Sequence, residues 1–576
     1  MAEVNKMLST DVLVIGGGMA ALPAAIKVLD QGANVIVADK STAGWSGQVP
    51  LGGGHIVCIP PDKVEASVKY LVKEGEYLND QEFTEAYVKD TYPFILEMDK
   101  WLGPIYYFRK DLEGNLWLRG GGVAAVIQRE TGLLPMLLRR ILEKGGKVLN
   151  KVFMVDLIKH DGRVVGAVGF HYQTGDFYVI QAKSVILACG GCMYKSRPQF
   201  HVNCGEGVAM AYKAGAEMRN AEYANMFTVS DKPTAGHNAG GPRDERLIDG
   251  PSTGATADRR ILLENALGEK FLYKYPGLGP NPGDPPWFGR RASRQVYAVY
   301  KEIEAGRGPI YQNLIGHPEA APLADHTKGM LQENYRNKMA RMGIDVNKEK
   351  VEWAIAPEFH GGPIRINRHS ETSLPGLYAA GDIIWQGSAN YGAVAFLPGG
   401  NPMSLAMVTG FWAGIAAGQA AGNLPESKVS KAEVNQLRKD VLSPLGKKEG
   451  YNPYDAVKDV QEVVFKLKNS FIKREDRLKN ALDAIGEIES KLENLTAKDS
   501  HELVRCHEAK AMATNAELLY QASLSRKESR GCHIREDYPD KDDKNWLKWI
   551  ILKKGDAKTK SWTEPVPIER YKFKSS

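Results

Sequence analysis

Three short segments near the N-terminus decide the fold: Asp11-Val-Leu-Val-Ile15, Gly16-Gly-Gly-Met-Ala-Ala21, and Asn34-Val-Ile-Val-Ala38 followed by Asp39. The first and third are β-branched, apolar runs of strand length, and the residues from Ala21 to Leu29 follow a helical apolar pattern. Strand, glycine turn, helix and strand in that order predict a βαβ unit that binds a dinucleotide. Gly16, Gly18 and Ala21 fill the three small-residue positions. They provide a tight turn, close approach of backbone to a pyrophosphate, and close packing of helix on strand. Met19 and Ala20 lead into the helix, whose N-terminal amides and positive dipole end point at the phosphates. Asp39 ends the second strand, where a carboxylate accepts hydrogen bonds from ribose hydroxyls, and Lys40 follows it.

The same kind of punctuation returns twice. Ser184-Val-Ile-Leu-Ala188 runs into Cys189-Gly190-Gly191, and Gly376-Leu-Tyr-Ala-Ala380 runs into Gly381-Asp382. Both read as buried parallel strands of one nucleotide-binding domain interrupted by insertions. A dinucleotide turn alone leaves NAD open. Asp382, at the end of a late strand, favours FAD because it can reach the ribityl or pyrophosphate part of a longer cofactor. Gly399 to Leu405 then opens a small-residue helix, and Asn401, Ser404 and Leu405 bring its amides to the flavin edge that becomes negative on reduction.

Length and composition set the frame. The 576 residues exceed one ordinary core, and 43% hydrophobic with 25% charged residues is an ordinary globular balance. A net charge of +6 from 75 basic and 69 acidic residues is too even for a nucleic-acid binder. No apolar run approaches the roughly 18 to 20 residues of a membrane span, and Met1 to Thr10 lacks a signal-peptide layout, so a cytoplasmic location is expected. The six cysteines are too scattered for a disulfide framework or for iron-sulfur ligation, so any cluster is expected in a partner.

The expected class is α/β: a Rossmann-like FAD-binding domain, discontinuous over 1–225 and 354–425, with an inserted α+β capping domain at 226–353. A helical domain at 426–529 and an extended surface tail at 530–576 complete the expectation. Ile472 to Leu495 and His501 to Leu524 read as amphipathic helices.

These residues resemble the flavoprotein subunits of the succinate dehydrogenase and fumarate reductase superfamily. The likeness extends through Ser46-Gly-Gln-Val49, Gly52-Gly-Gly-His-Ile56, Asn203 to Tyr212, Lys301 to Pro309 and Ser525-Arg-Lys-Glu-Ser-Arg-Gly531, covering nearly the whole chain. It places Ser46, Gly47, Gln48, Gly53, Gly54, Ala188 and Gly190 around the flavin. Covalent members carry a histidine after the serine aligned with Ser46. This chain has Gly47, which implies non-covalent FAD.

Within the superfamily, Lys151 to Gly191 and the segment from Arg526 to Pro567 are most similar to the adenylylsulfate reductase alpha subunit. That likeness implies a ferredoxin-like iron-sulfur subunit as partner and a small anionic substrate, and allows peripheral membrane association through partners. Departures run both ways. The His-x-x-Met-Gly-Gly segment of fumarate reductases reads Pro357-Glu-Phe-His-Gly-Gly362 here, and their Asn-Arg-Leu-Gly segment is not recognisable near Tyr391 to Asn401. A C4 dicarboxylate would therefore lose charge-assisted donors. The Ala-Ile-Asn and Leu-Arg-Asn-His segments of the reductase alpha subunits are replaced by Gly54-His55-Ile56 and by Phe288 to Arg294.

His360 is the first candidate for a titratable group at the flavin, against a structural role, and His55 the second. Arg290, Arg291 and Arg294 are candidates for binding an anion. Cys189 and Cys192 have the spacing of a redox dithiol but read as structural, as does Glu206. The functional alternatives are a fumarate-reductase-type ene-reductase or dehydrogenase with a substrate other than a C4 dicarboxylate, and an electron-relay subunit without its own substrate.

Overall fold

The structure, a computed structural model, describes residues 5–45, 47–51, 55–103, 107–119, 122–127, 130–196, 202–231, 263–275, 292–316, 339–394, 401–425, 429–556 and 558–575. Its central sheet has seven strands. Five run parallel in the order Lys147–Asn150, Val35–Asp39, Asn5–Ile15, Phe177–Leu187, Leu377–Ala379. Val12 to Ile15 lie between Val35 to Ala38 on one side and Ser184 to Leu187 on the other. A strand flanked on both sides and covered on both faces must be apolar throughout, and Val12, Leu13, Val14 and Ile15 are all buried. An antiparallel hairpin, Val152–His160 with Arg163–His171, extends the sheet through the lower half of Phe177–Leu187.

Helix Ala21–Asp30 covers one face, and helix Asn401–Asn423 lies against it. The contact is close because the second helix presents glycine. A Cβ at Gly410 would sit 2.4 Å from the Ala20 carbonyl oxygen, and one at Gly414 would sit 2.3 Å from that of Ala24.

Two expected boundaries fall inside paired strands. Asn225–Asp231 pairs antiparallel with Val351–Phe359, so the chain leaves and re-enters the nucleotide domain along one ladder. Ile310–Gln312 and Leu263–Glu264 complete this four-stranded sheet, beside helix Ala292–Glu304.

The expected helical domain contains Lys431–Leu442, Pro453–Val464, Glu475–Leu492 and Ser500–Ser525. Glu475–Leu492 is amphipathic, with Leu478, Ala481, Ile485, Ile488 and Leu492 inward. Ser500–Ser525 departs from expectation: it is buried around most of its circumference, because it is wedged between the bundle and helix Glu206–Ala214.

The last segment also departs from expectation, since it is no surface tail. Lys548–Lys553 pairs with Lys560–Pro565 and, through Ile551 and Leu552, with Met218–Arg219 of the nucleotide domain. Ahead of it, Arg526 donates from Nε to Glu222 Oε1 at 2.8 Å and from Nη1 to Glu528 Oε1 at 2.9 Å. Arg530 grips both oxygens of Glu528. The side chains of Arg526, Arg530, Glu222 and Glu528 are all 0% exposed. Paired charges can be buried in this way when each guanidinium is met by carboxylates and carbonyls.

Two predictions follow from this packing. Arg526→Ala removes the guanidinium that meets the buried Glu222 carboxylate and should lower the unfolding free energy by about 3–5 kcal/mol, measured by chemical denaturation. Glu489, held up at about 7 by burial and by the facing charge of Glu517, keeps its proton in the folded state where the unfolded chain has lost it. Stability should therefore fall as pH rises from 4.5 to 7 and stay reduced above. Glu489→Gln should raise the melting temperature at about pH 8, by on the order of 1 kcal/mol of stability after solvent screening, and change little at about pH 4.

Candidate functional site

The glycine turn sits at the carboxyl ends of the central strands, where open parallel sheets bind ligands. Its three glycines have different causes. A Cβ at Gly16 would lie 2.3 Å from the Ala188 carbonyl oxygen, and one at Gly17 would lie 2.6 Å from Ala43 Cα and 2.7 Å from Asp39 Oδ2. Protein atoms thus demand those two. Among the described residues, a Cβ at Gly18 meets no atom within 4 Å, and one at Gly47 meets only Gly18 Cα, at 3.9 Å. The space kept clear there lies at the N-terminus of helix Ala21–Asp30, which suits the pyrophosphate of a dinucleotide.

Met19 and Ala20 are buried beneath that helix start. Asp39 ends its strand beside the turn, with Oδ1 accepting from the Ser41 amide at 2.6 Å. Ala188 donates its amide to the Ile15 carbonyl at 2.8 Å, which ties the second nucleotide segment to the first strand. Gly190 has φ +79°, and a Cβ there would meet Asn203 Nδ2 at 2.3 Å. Gln48 donates from Nε2 to Met193 Sδ at 2.8 Å, joining the loop after Asp39 to the loop after Ala188. Ser46, Gly53 and Gly54 lie outside the described residues.

The far end of the cradle comes from late sequence. Gly381, at φ +82°, donates its amide to Thr409 Oγ1 at 3.0 Å, and a Cβ there would lie 2.9 Å from Ala20 Cβ. Asp382 follows it. Asn401, Ser404 and Leu405 begin the Asn401–Asn423 helix and are all buried. Ser404 donates from Oγ to the Val57 carbonyl at 2.8 Å, and Thr409 from Oγ1 to that of Leu405 at 2.6 Å.

His360 is the one expected catalytic side chain whose surroundings are described. It is 2% exposed, with Nε2 at 3.5 Å from Asp382 Oδ1 and its ring edge-on to Trp385 at a centroid distance of 4.7 Å. The following glycines permit this approach: a Cβ at Gly362 would lie 1.8 Å from the Asp382 carbonyl oxygen. His55 lies in the His55–Val57 strand and Arg294 in the Ala292–Glu304 helix, with side chains outside the described set. Arg290 and Arg291 lie outside the described residues altogether.

The sequence reading missed three partners. Asp382 was read as a cofactor ligand, yet it also faces His360. Gln386 bonds the His360 loop, with no motif to mark it. Glu206, read as structural, receives Lys40 Nζ at 2.6 Å beside Asp39, a pairing that no local spacing could reveal.

Burial and the Glu206 charge push the Cys189 thiol up to about 12, and Cys192 is raised mainly by burial. Neither favours a thiolate, in keeping with a structural role. Cys204, Glu206 and Glu508 come within metal-ligand reach of one another, but Lys40, Lys195 and Arg505 already pair with the two carboxylates.

Comparison with known proteins gives this geometry a context. Residues 11–395 match the FAD binding domain family, and residues 459–576 match the fumarate reductase flavoprotein C-terminal family. The chain is 30% identical to an uncharacterized FAD-dependent oxidoreductase of Methanocaldococcus jannaschii, over 95% of this chain and 96% of that protein. Two solved structures share the fold. Quinol fumarate reductase of E. coli superposes with a TM-score of 0.80 at 20% identity, covering 98% of each chain. Adenylylsulfate reductase of Archaeoglobus fulgidus superposes with a TM-score of 0.76 at 22% identity, covering 99% of this chain and 98% of the other. No helix among the described residues is long and apolar enough to cross a membrane. With a dinucleotide cradle built from three distant segments and both family matches spanning most of its length, the chain belongs to the flavoprotein family of fumarate reductases and succinate dehydrogenases and is an FAD-dependent oxidoreductase.

Proposed function

We propose that the chain is a flavoprotein subunit similar to the adenylylsulfate reductase alpha subunit, exchanging electrons between a small anionic substrate and a ferredoxin-like iron-sulfur partner. The observation that carries this reading is the His360–Asp382 pair, buried where the cap strand Val351–Phe359 meets the end of the FAD cradle. Bound FAD supplies two-electron transfer to substrate and single-electron transfer to a partner. The chain's own residues handle charge and protons. Gly16 to Ala20, with Asp39 and Lys40, hold the nucleotide half, while Asp382, Asn401, Ser404 and Leu405 flank the flavin half. His360 faces the Asp382 carboxylate, with Nε2 at 3.5 Å from Oδ1, and is the group in this role that can take or give a proton. Arg290, Arg291 and Arg294 are the candidate guanidinium groups for an anion. The scattered cysteines support a separate home for any cluster.

A second reading has its own support. The C-terminal family match and the fold likeness to quinol fumarate reductase favour an ene-reductase of that type. Pro357, where those enzymes carry a histidine, argues against a C4 dicarboxylate as its substrate. Reduced protein offered adenylylsulfate, sulfite with AMP, fumarate and other enoates in turn separates these readings. Reoxidation by none of them, with rapid reoxidation by a copurified iron-sulfur protein, marks an electron relay instead.

Two variants test the residue assignments. Gly18→Val places a side chain in the cleared space and should yield folded protein without flavin absorbance; stoichiometric flavin in that variant contradicts the cradle. His360→Ala should keep its flavin and lose turnover by about 100-fold or more, measured in steady state, if the imidazole transfers the proton.

A further inference from the structure

Gln386 is buried, and its side chain joins three segments of chain. Its Nε2 donates to the His360 carbonyl at 2.7 Å and to the Tyr223 carbonyl at 3.2 Å. Its Oε1 accepts from the Gly362 amide at 2.6 Å, and its own amide donates to the Gly362 carbonyl at 2.9 Å. Both side-chain N–H groups and the amide oxygen are thus engaged. The His360 amide, for its part, donates to the Ala224 carbonyl at 3.1 Å. The histidine backbone is therefore held on one side by Ala224, just ahead of the strand that leaves for the cap, and on the other by Gln386.

The imidazole is held by the same short stretch. Trp385, the residue before Gln386, lies against the ring, and Asp382 faces Nε2. The loop has little room to shift, since a Cβ at Gly191 would come within 2.2 Å of the Gly361 carbonyl oxygen and one at Gly387 within 1.8 Å of that of Ile364. Loss of the Gln386 side-chain bonds removes these donors from the His360 and Tyr223 carbonyls, leaves the latter only the weak Cys532 thiol at 3.8 Å, and strips the Gly362 amide of its acceptor, at the residue whose ring must meet Asp382. Only a group with two donors and one acceptor satisfies all three.

We infer that Gln386 is a positioning residue: its amide clamps the His360–Gly362 loop so that the imidazole stays registered on Asp382, without itself touching substrate or cofactor. This rests on the proposed proton-transfer role of His360. An ionised glutamate offers no donor to the two carbonyls and repels them, whereas a protonated one restores one donor. Gln386→Glu is therefore a titratable probe of the clamp, and Gln386→Leu is its constant counterpart. The ionisable groups on the surrounding elements include His360, Asp382, Tyr223, Glu222, Cys192, Cys532, Lys473 and Arg219, whose Nε donates to the Gly387 carbonyl at 2.7 Å. They are common to wild type and variants, so the difference between pH profiles isolates residue 386.

The test uses the full-length holoprotein. Flavin content is measured first. Turnover against pH then follows, with the acceptor found in the reoxidation screen, together with the titration of ring-labelled histidine by NMR, the His360 signal being assigned by its absence in His360→Gln. With FAD retained, Gln386→Leu should lose kcat by about 10- to 100-fold at every pH with KM little changed. Gln386→Glu should approach wild type at low pH and lose kcat as its carboxyl ionises, and the His360 titration should move in both. Wild-type profiles and an unmoved His360 titration in both variants overturn the clamp. If His360→Gln keeps wild-type turnover, the proton-transfer role fails instead, and the His360 signal in the Gln386 variants still decides whether the loop is positioned by this amide.

Discussion

Everything at this site depends on a crowding constraint where three chain segments end side by side. The turn after Ile15, the turn after Leu187 and the turn after Ala379 meet at the carboxyl ends of adjacent parallel strands, with backbone atoms so close that Gly16, Gly191 and Gly362 have no room for a Cβ. Backbone polar groups at such a junction need partners, and they find them across segments: Ala188 on Ile15, Ala380 on Leu187, Cys192 on Gly361. The cradle is therefore as rigid as the sheet that builds it. A preorganised site of this kind spends little binding energy on ordering itself.

Against that rigid floor stand two features of opposite character. Among the described residues, Gly18 and Gly47 face open space, the one part of the turn that the protein leaves for something else to fill. His360 and Asp382 are pressed together by the same crowding that closes the rest. A cleared volume next to a constrained titratable pair suits cofactor chemistry, in which the bound group moves electrons and the protein moves protons.

Local pattern carried much of this and long-range pairing carried the rest. The strands at Val12–Ile15, Val35–Ala38 and Ser184–Leu187 were legible because a central parallel strand must be apolar on both faces, and the phosphate turn because only glycine fits it. The burial of Ser500–Ser525 was not, since its polar residues His507, Glu508 and Asn515 mimic a solvated face until their partners on other elements are known. The tail from residue 530 was read as lying on the surface because the partner of its strand Lys548–Lys553, Met218–Arg219, is far away in sequence. Asp382 could be found as a carboxylate at a strand end, but its second task and the whole role of Gln386 depend on where the chain returns from its insertion, which no spacing rule encodes.

The glycine-lined seam between helices Ala21–Asp30 and Asn401–Asn423 bears on how the molecule is born. The βαβ start of the chain emerges early from the ribosome, yet the helix that seals its exposed flank, and the Gly381–Asp382 turn that completes its sheet, are made only after the whole inserted portion has been synthesised. Contacts of such long sequence separation form late and slowly. The nascent N-terminal half thus waits with an apolar helix flank uncovered until that late helix arrives.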